Sequence, residues 1–395
     1  MHYFAILCLL FLCITNAFSD EVVFLDLQDK NQHIGDAIII HSGNKYAMID
    51  VGYRKFNKSN KHHVSYEAVS NYLKTHLKSQ ENPTLEWILF THNHPDHTGG
   101  IIDLVNLKIN NKPLKIKKVF TKHYNNIDMN CKDKTLEKCR KERKDTWNEI
   151  LGAFKKGNID VNYINTSNNS IPNIGNFQFK LFNTRQIHRQ EFKTICDNLN
   201  KKESVNHQCN ENANSIIVTA KNKNRYYYFS GDIASPPKEL TAVYKENFIT
   251  DLVKNATKYY EKLDGKKFDR FDVFKASHHG FKGNNGKKPY NVIRIDNCII
   301  TTKYDTTSYS KIDEVLDNIT NKKQKKVNIF FSGAGDVVVT QNNNDLKISQ
   351  SKDTHGELKA CSKNSDCKSG CCFMYGKEPG KRHYCVTKGN YCMNN

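Results

Sequence analysis

A ten-residue segment, THNHPDHTGG at residues 91–100, most constrains how this chain folds, since it places three histidines and an aspartate within six positions. It directly follows the apolar run LEWILF, which has the length and composition of a buried strand. A turn at the end of a buried strand exposes its side chains at the sheet edge, where α/β proteins place their chemistry. Imidazole and carboxylate groups suit Zn²⁺ or Mn²⁺, so the segment predicts a metal site whose ligands are divided between two positions.

Strand-like and helix-like segments alternate along the rest of the chain. Short β-branched and aromatic runs within residues 21–50 predict a strand meander, and the apolar spacing of SYEAVSNYLKTHL predicts an amphipathic helix. Residues 131–156 have the pattern of a long surface helix. Further strands are predicted at FQFKLFN, SIIVTA, RYYYFSGD, DVFKAS, NCIITT, VNIFFSG and DVVVTQ. Two strand-rich halves with helices between them indicate an α/β class with two sheets sandwiched by helices.

The N-terminal end of the chain has the composition of a targeting segment. An apolar run from Phe4 to Ile14, followed by small residues at Ala17 and Ser19, predicts a secretory signal peptide over residues 1–19. The run is shorter than the roughly 20 apolar residues that a membrane span needs. We therefore expect a secreted, extracellular protein with no transmembrane span.

The C-terminal end is rich in cysteine. Six of the 13 cysteines lie within residues 361–395, in the order C-x5-C-x3-CC-x12-C-x6-C. This order resembles inhibitor-cystine-knot peptides, and a zinc-binding tail is the alternative interpretation. We predict one large domain over residues 20–350, a polar linker over 351–360 and a disulfide-rich, knot-like module over 361–395. The module would dock to a surface or a protein partner, or protect the chain from proteolysis.

The remaining cysteines suggest two further disulfides within the large domain. Cys131 is close in sequence to Cys139, and Cys196 is close to Cys209. If these pairs form, Cys298 is left over, and its position in the apolar run NCIITT predicts a buried free thiol.

The formal net charge of +19 indicates an anionic partner, such as nucleic acid or another phosphate-bearing molecule. Lysine greatly outnumbers arginine, however, and the chain is also rich in Asn, Ile, Tyr and Phe. A biased nucleotide composition would produce the same pattern. Both explanations of the charge stay open.

Five segments occur in the order that is typical of the metallo-β-lactamase superfamily. They are IGDAIIIHSGNKYAMIDVG, THNHPDHTGG, NANSIIV, YFSGD and KASHHG. On these motifs the chain resembles the superfamily from about Val22 to Ile348. The segments NANSIIV and HHG are similar to the extracytoplasmic hydrolase module of the DNA-uptake protein ComEC. The resemblance implies an αββα four-layer sandwich.

The resemblance also implies a centre of two metal ions, which we expect to be Zn²⁺, with Mn²⁺ as the alternative. His92 and His94 would hold the first ion, and Asp96 and His97 would hold the second. Asp232, which follows the strand RYYYFS, would bridge the two ions.

The HHG segment offers two histidines for the last ligand of the second ion. Spacing does not choose between them, and we favour His278 as the ligand, which leaves His279 to contact the substrate or relay protons. Asp96 and His279 are therefore the candidate catalytic residues. We expect Asp50 to support the histidine turn rather than bind metal.

The chain departs from the superfamily pattern in two places. Many members have a further metal-binding histidine before the bridging aspartate, and here we expect Asn214 and Ser215 to line the site instead. The first ion would then have fewer protein ligands than the second. Phe281 stands where similar sequences usually have serine after HHG.

The implied activity is hydrolysis by a metal-bound hydroxide, because a bound cation acidifies its water to a pKa of about 7. The sequence shows no G-x-S-x-G elbow, P-loop or dinucleotide-binding glycine motif. We predict a secreted phosphodiesterase or nuclease that acts on an anionic, phosphate-bearing substrate. The alternatives are a carboxylic ester, thioester or lactam hydrolase with the same centre, and a non-catalytic binding or toxin-like protein.

Overall fold

A computed structural model of the chain describes most of the predicted large domain. The described residues are 19–27, 35–55, 65–125, 136–186, 211–233, 248–281, 285, 287–302, 315, 318, 327–333, 335–351, 360–361, 372–375 and 382–385. The predicted signal peptide, linker and most of the knot-like module lie outside them, as do Cys131, Cys196 and Cys209.

The described residues form 21 strands, six α-helices and two short 3₁₀ turns. The strands are β1 (Asp20–Phe24), β2 (Ile38–Ser42), β3 (Lys45–Ile49), β4 (Thr84–Leu85), β5 (Trp87–Leu89), β6 (Lys108–Ile109), β7 (Lys112–Pro113), β8 (Lys115–Ile116), β9 (Lys118–Thr121), β10 (Asp160–Tyr163), β11 (Phe177–Phe182), β12 (Ile217–Asn222), β13 (Arg225–Phe229), β14 (Arg270–Lys275), β15 (Arg294–Ile300), β16 (Asn328–Phe331), β17 (Val337–Asn342), β18 (Asp345–Gln350), β19 (Ala360–Cys361), β20 (Cys372–Tyr375) and β21 (Arg382–Cys385). The helices are α1 (Ser65–His76), α2 (Pro95–Thr98), α3 (Ile101–Leu104), α4 (Leu136–Lys156), α5 (Phe248–Asp264) and α6 (Lys287–Val292), and the 3₁₀ turns are Glu211–Asn214 and Ser277–Gly280.

Two mixed sheets form the body of the domain. The first has eight strands in the order β10-β9-β5-β3-β2-β1-β17-β18, and the second has six in the order β11-β12-β13-β14-β15-β16. The neighbours β10, β9, β5 and β3 are parallel, as are β13 to β16. The carboxyl ends of these parallel strands therefore lie along one edge of each sheet, which is where the predicted ligands follow them in sequence.

The two sheets pack against each other through apolar side chains. The apolar cluster between them contains residues of both sheets. Within it, the ring centroids of Phe24 and Phe229 lie 6.0 Å apart. Trp87 of the first sheet meets Phe179 of the second edge to face, at 5.2 Å between centroids. Alternation of side chains along each strand leaves the other face of each sheet free to pack against helices.

Helices cover these outer faces. Leu73 of α1, Leu104 of α3 and Phe154 of α4 join the apolar cluster on the first sheet. Val253 and Tyr260 of α5 join the cluster on the second. The predicted α/β class is therefore confirmed. None of the helices in the described part of the chain has both the length and the apolar composition that a membrane crossing requires.

The described domain tests one of the cysteine expectations, and the predicted Cys131–Cys139 pairing stays a prediction. Cys298 is a buried free thiol, as predicted. Cys139, in α4, is disulfide-bonded, and its expected partner Cys131 lies outside the described residues. In the C-terminal module the structure describes one three-stranded sheet in the order β19-β21-β20, and its disulfide connectivity stays a prediction.

A buried lysine gives the domain a pH-dependent stability. Lys122 follows β9, is buried, and donates a hydrogen bond to the Arg185 carbonyl at 2.9 Å. Burial lowers the pKa of Lys122 to about 7 from 10.5, although the nearby Glu211 opposes the shift. Between these values the unfolded chain binds a proton that the folded chain lacks, so the free energy of unfolding should rise with pH from about 7 to 10.5.

Denaturant unfolding of wild type and Lys122→Met at several pH values tests this effect. We expect the stability of wild type relative to the variant to increase by a few kcal/mol over that window. Lys115→Met, at an exposed lysine of β8, is the control and should show no such trend. A difference between wild type and Lys122→Met that stays constant with pH would contradict the prediction.

Candidate metal centre

Polar side chains from five segments meet where the carboxyl edges of the two sheets face each other. In the first sheet Leu89 pairs with both Ile49 and Phe120, so the residues after β3, β5 and β9 are level. In the second, Lys275 pairs with Phe229, so the residues after β13 and β14 are level. The segments are Asp36 before β2, Asp50 after β3, residues 91–97 after β5, Asp232 after β13 and Ser277–Gly280 after β14.

Asp50 organises the histidine turn. Its buried carboxylate accepts hydrogen bonds from Thr91 N, Thr91 Oγ1 and His97 Nδ1, each at 2.7 Å. Three such bonds fix both ends of the turn, and Pro95 at the first position of α2 pre-sets the helical backbone between them. The turn also packs closely on β3, since a Cβ at Gly100 would lie 2.2 Å from Val51 O. These bonds agree with the supporting role expected for Asp50, although Asp36, Asp50 and His97 also form a second group of potential ligand atoms within 4.8 Å of one another.

Asp232 reaches the histidines because a glycine precedes it. Gly231 has a φ of +52°, and a Cβ there would lie 2.9 Å from Thr91 Cβ, so any larger residue would push the two sheets' edges apart. The Asp232 amide donates to Ser215 Oγ at 3.1 Å, and the His278 amide donates to Gly231 O at 3.1 Å. The backbone on both sides of the carboxylate is therefore held in place.

Four of these side chains form one group of potential metal ligands. Asp96, His97, Asp232 and His279 each offer a ligand atom, and these atoms all lie within 4.8 Å of one another. His97 Nε2 is 3.1 Å from Asp232 Oδ2 and 3.6 Å from Asp96 Oδ2. His279 Nε2 is 3.5 Å from both of these oxygens. Donor atoms of a tetrahedral zinc site are about 3.3 Å apart, given zinc–ligand bonds of about 2.0 Å.

The hydrogen bonding of this group indicates that a cation belongs there. Among the described residues, neither oxygen of Asp232 has a hydrogen-bond partner of acceptable geometry, and neither does Nε2 of His97 or His279. Buried polar atoms without partners are costly and rare in native proteins. A divalent cation would satisfy all of them at once, so the residues present fit a metal ion.

A second pair of ligand atoms lies beside this group. His92 Nε2 and His94 Nδ1 approach to 3.0 Å, as two ligands of one ion would. His92 Nε2 is 3.9 Å from Asp232 Oδ2, so the Asp232 carboxylate of the four-residue group also lies close to this pair. Burial, with the charges of His97 and His94, keeps the pKa of His92 well below its usual value. His92 is therefore neutral, as a metal ligand must be.

Buried carboxylates fix the tautomers of the other imidazoles. Asp50 accepts the Nδ1 hydrogen of His97, and Asp36 Oδ1 lies 3.1 Å from His279 Nδ1, which also contacts Thr301 Oγ1 at 3.0 Å. With hydrogen on Nδ1, each ring turns Nε2 towards Asp232, and the Nε2 lone pair becomes available to a cation once Nε2 loses its proton. This orientation is the one that metal binding needs.

Sequence reasoning gave no role to the ion pair behind His279. Lys275 Nζ lies 2.6 Å from Asp36 Oδ2, and both side chains are only 1% exposed. Lys275 Nζ also donates to Gly231 O at 3.1 Å and Ala276 O at 3.2 Å. Although burial opposes it, Lys275 and His279 hold the pKa of Asp36 well below its usual range. The signal in the sequence was a lysine within DVFKAS, a strand whose composition otherwise predicts burial.

The geometry reverses the sequence-based preference within the HHG segment. His279, not His278, belongs to the four-residue group, and its side chain is 2% exposed against 26% for His278. Both residues have left-handed backbone conformations, with φ of +49° at His278 and +53° at His279. The spacing could not reveal this turn, because it depends on dihedral angles that neither histidine would adopt by preference.

The departures from the superfamily pattern are also visible in the structure. Ser215 holds the Asp232 amide, as described above, whereas Asn214 Nδ2 donates to Glu211 Oε2 at 3.2 Å. The asparagine beside a histidine of the centre is Asn212, with Nδ2 3.5 Å from His278 Nε2. Asn212 therefore joins Ser215 of the expected Asn214–Ser215 pair in contacting residues of the centre. The Phe281 ring packs at 5.2 Å from that of His278.

Comparison with known families agrees with this geometry. The sequence profile of the metallo-β-lactamase superfamily matches residues 31–125, a span that contains Asp36, Asp50 and the histidine turn but ends before Asp232. No curated protein matches the chain with significant similarity.

A comparison of whole-chain folds also found solved structures with low similarity to this chain. The metallo-β-lactamase fold protein YhfI from Bacillus subtilis is 11% identical, with 82% of this chain and 100% of that chain covered and a TM-score of 0.41. Yeast PDE1 is 10% identical, with 80% and 97% covered and a TM-score of 0.41. A diphosphatase of the PhnP family is 9% identical, with 80% and 86% covered and a TM-score of 0.34. The family match and the converging ligands support a metallo-β-lactamase fold for this chain.

Removing the charge behind His279 should weaken metal binding without unfolding the domain. In Asp36→Asn the side chain keeps its shape, but His279 Nδ1 and Lys275 lose their anionic partner. We expect the affinity for Zn²⁺ to fall about 10- to 100-fold, measured by competition with a chromogenic chelator. Asp20→Asn is the matched control, since Asp20 is a buried carboxylate bonded to Asn176 and Asn222 away from the centre. Equal affinities in all three proteins would refute the role of Asp36.

Metal uptake should release protons. Burial alone would lower the pKa of His97, but carboxylates, first among them Asp232, raise it well above its ordinary value. The pKa of His279 is raised against burial in the same way. Below those raised values a proton competes with the cation, so the dissociation constant should increase about tenfold per unit of acidification for each proton displaced.

Calorimetric titration of the chelator-treated protein with Zn²⁺ in buffers of different ionisation enthalpy counts these protons. We expect net release at pH 7 and a similar count for His76→Gln, a change on the exposed end of α1. A heat of binding that is independent of the buffer would rule out the competition.

Proposed function

We propose that this chain is a metal-dependent hydrolase that acts on phosphodiester substrates. Its two divalent cations, most simply Zn²⁺ with Mn²⁺ as the alternative, would lie on either side of Asp232. Asp96, His97 and His279 would hold one ion, and His92 and His94 would hold the other. Asp232 would be shared between them. The packing of helices on the outer faces of two facing sheets supports the four-layer αββα arrangement that the sequence resemblance implied.

One observation carries the proposal. The Asp232 carboxylate is buried, lacks a hydrogen-bond partner of acceptable geometry within the described chain, and has imidazole nitrogens from two separate segments directed at it. An ion-binding carboxylate has this environment, whereas a structural aspartate is bonded to donors, as Asp50 is.

Different residues of the centre would have different roles in hydrolysis. When bound, the cations acidify a water molecule and offset the negative charge that develops at the reaction centre. Although burial opposes it, His97 and His279 hold the pKa of Asp96 well below its usual range, so this carboxylate stays ionised and can accept a hydrogen bond from the attacking water. Asp50 and Asp36 keep His97 and His279 oriented. No nucleophilic side chain is required.

The exposure of the side chains shows from which side a substrate can approach. His97 and His279 are buried, while the side chains of Asp96 and His278 are 20% and 26% exposed. The open side of the centre is therefore formed by Asp96 and His278. His279, at 2% exposure, is better placed to bind metal than to contact the substrate, which revises the catalytic role first expected for it.

The net charge supports the choice of substrate class. A charge of +19 raises the local concentration of anionic molecules and speeds their encounter with the protein. Phosphodiesters, including nucleic acids, carry the matching negative charge, whereas carboxylic esters and lactams need not.

We also propose that the protein is secreted, on the basis of the apolar run from Phe4 to Ile14. Its cysteine-rich end would be a separate docking or protective module.

Replacing the shared carboxylate tests the proposed centre. We expect Asp232→Asn to lose hydrolysis of bis(4-nitrophenyl) phosphate to the background rate, and to bind at least one metal ion fewer by elemental analysis. Asp272→Asn is the matched control, because Asp272 is equally buried in the same sheet but pairs with Arg225 at 2.7 Å. Circular dichroism checks that both variants fold.

A panel of substrates tests the reaction class. Wild type with metal is incubated with the bis-aryl phosphate, single- and double-stranded DNA, and 4-nitrophenyl acetate. Turnover of phosphodiesters that depends on Asp232 is the expected result. Turnover of the ester alone would assign the centre to carboxylic substrates, and metal binding without any turnover would favour a non-catalytic protein.

A further inference from the structure

The two groups of ligands around Asp232 are unequal. The group with Asp96 has three side chains of its own, namely Asp96, His97 and His279. The other group has only His92 and His94, whose nitrogens lie 3.0 Å apart. The shared oxygen also favours the first of these groups, since Asp232 Oδ2 is 3.1 Å from His97 Nε2 but 3.9 Å from His92 Nε2. An ion beside His92 and His94 would therefore have only the shared Asp232 as a third protein ligand and would leave a position for a further one.

Four imidazoles surround the same carboxylate oxygen. Measured from Asp232 Oδ2, Nε2 lies at 3.1 Å in His97, 3.5 Å in His279, 3.6 Å in His278 and 3.9 Å in His92. Among the described histidines, His97 and His279 lie within 4.0 Å of Asp96 Oδ2. His278 and His92 do not, although both lie within 4.0 Å of Asp232 Oδ2.

The backbone at the HHG segment supports a role for both histidines. Two successive residues with side chains adopt left-handed conformations here, each at a cost of about 1–3 kcal/mol. Such strain persists only where the surroundings fix it, and it is concentrated at functional sites. The result is that neighbouring rings, which an extended strand would send to opposite faces, both place Nε2 within 3.6 Å of one oxygen.

We propose that His278 is the third imidazole ligand of the ion held by His92 and His94. The inference rests on the proposed two-metal centre and assigns to this chain a ligand from the HHG segment for each ion, one residue apart. The side-chain amide of Asn212, 3.5 Å from His278 Nε2, is at the outer limit of a hydrogen bond, so a cation can displace it. Many members of the superfamily have a further metal-binding histidine before the bridging aspartate. In this chain His278, which follows β14, takes the place of that histidine.

Asparagine substitutions provide matched variants for the test. Asparagine tolerates left-handed backbone better than other residues with side chains, so His278→Asn and His279→Asn remove an imidazole without adding backbone strain. Each is combined with His94→Asn, which disables the ion beside His92, and with Asp96→Asn, which disables the other. Zn²⁺ content after equilibrium dialysis and elemental analysis is measured for all single and double variants, with circular dichroism to confirm folding.

We expect His278→Asn to lose one ion per chain. In the Asp96→Asn background it should remove the remaining ion, and in the His94→Asn background it should change nothing further, because two ligands of one ion are not additive. His279→Asn should show the opposite pattern in the two backgrounds. This reciprocal result would establish which histidine serves which ion.

Three results would overturn the inference. The first is loss of the other ion from His278→Asn, seen as a further loss in the His94→Asn background. The second is retention of both ions with a changed KM or kcat, which would make His278 a substrate contact. The third is a wild-type protein that binds fewer than two ions. Wild type that binds two ions but hydrolyses none of the substrates would contradict the proposed function while leaving the ligand assignment intact.

Discussion

The buried ion pair between Lys275 and Asp36 is the interaction on which the centre depends. Three buried aspartates, Asp36, Asp50 and Asp232, converge here, and burying carboxylates is costly unless positive charge compensates them. Lys275 Nζ lies 2.6 Å from Asp36 Oδ2 and also donates to the carbonyls of Gly231 and Ala276. It therefore joins the segment before β2, the residue before Asp232 and the start of the HHG turn, so the ligands are positioned before any metal arrives.

The rest of the centre follows from how the two sheets face each other. Parallel neighbours bring Asp50, the histidine turn and Asp232 to the same edge, and the apolar cluster between the sheets sets the distance across it. Gly231 permits the closest approach, beside Thr91. Rigid strands thus precede the ligands, and at the centre the short turns after β3 and β14 contain non-glycine residues with positive φ, namely Asp50 and the two adjacent histidines.

In this arrangement, the residues that orient the histidines are distinct from those at the opening of the centre. Asp50 and Asp36 each accept the Nδ1 hydrogen of one histidine, so Nε2 is presented to the metal in both cases. The partly exposed side chains of Asp96 and His278 lie at the opening of the centre, where solvent reaches it. The positive charge of the chain acts at longer range and concerns which molecules arrive rather than how they react.

Much of this protein could be predicted from local patterns in its sequence. The spacing of THNHPDH after an apolar strand indicated which residues of the first segment come together, since neighbours on one turn are close whatever the rest of the chain does. The support from Asp50 was expected from the family resemblance, and the order of strands and helices indicated the α/β class. Only the tertiary structure placed His279 rather than His278 beside Asp96, brought Asn212 to His278, and joined Lys275 to Asp36. These contacts link residues up to more than two hundred positions apart, and they depend on strand register and on left-handed dihedrals that no local propensity favours.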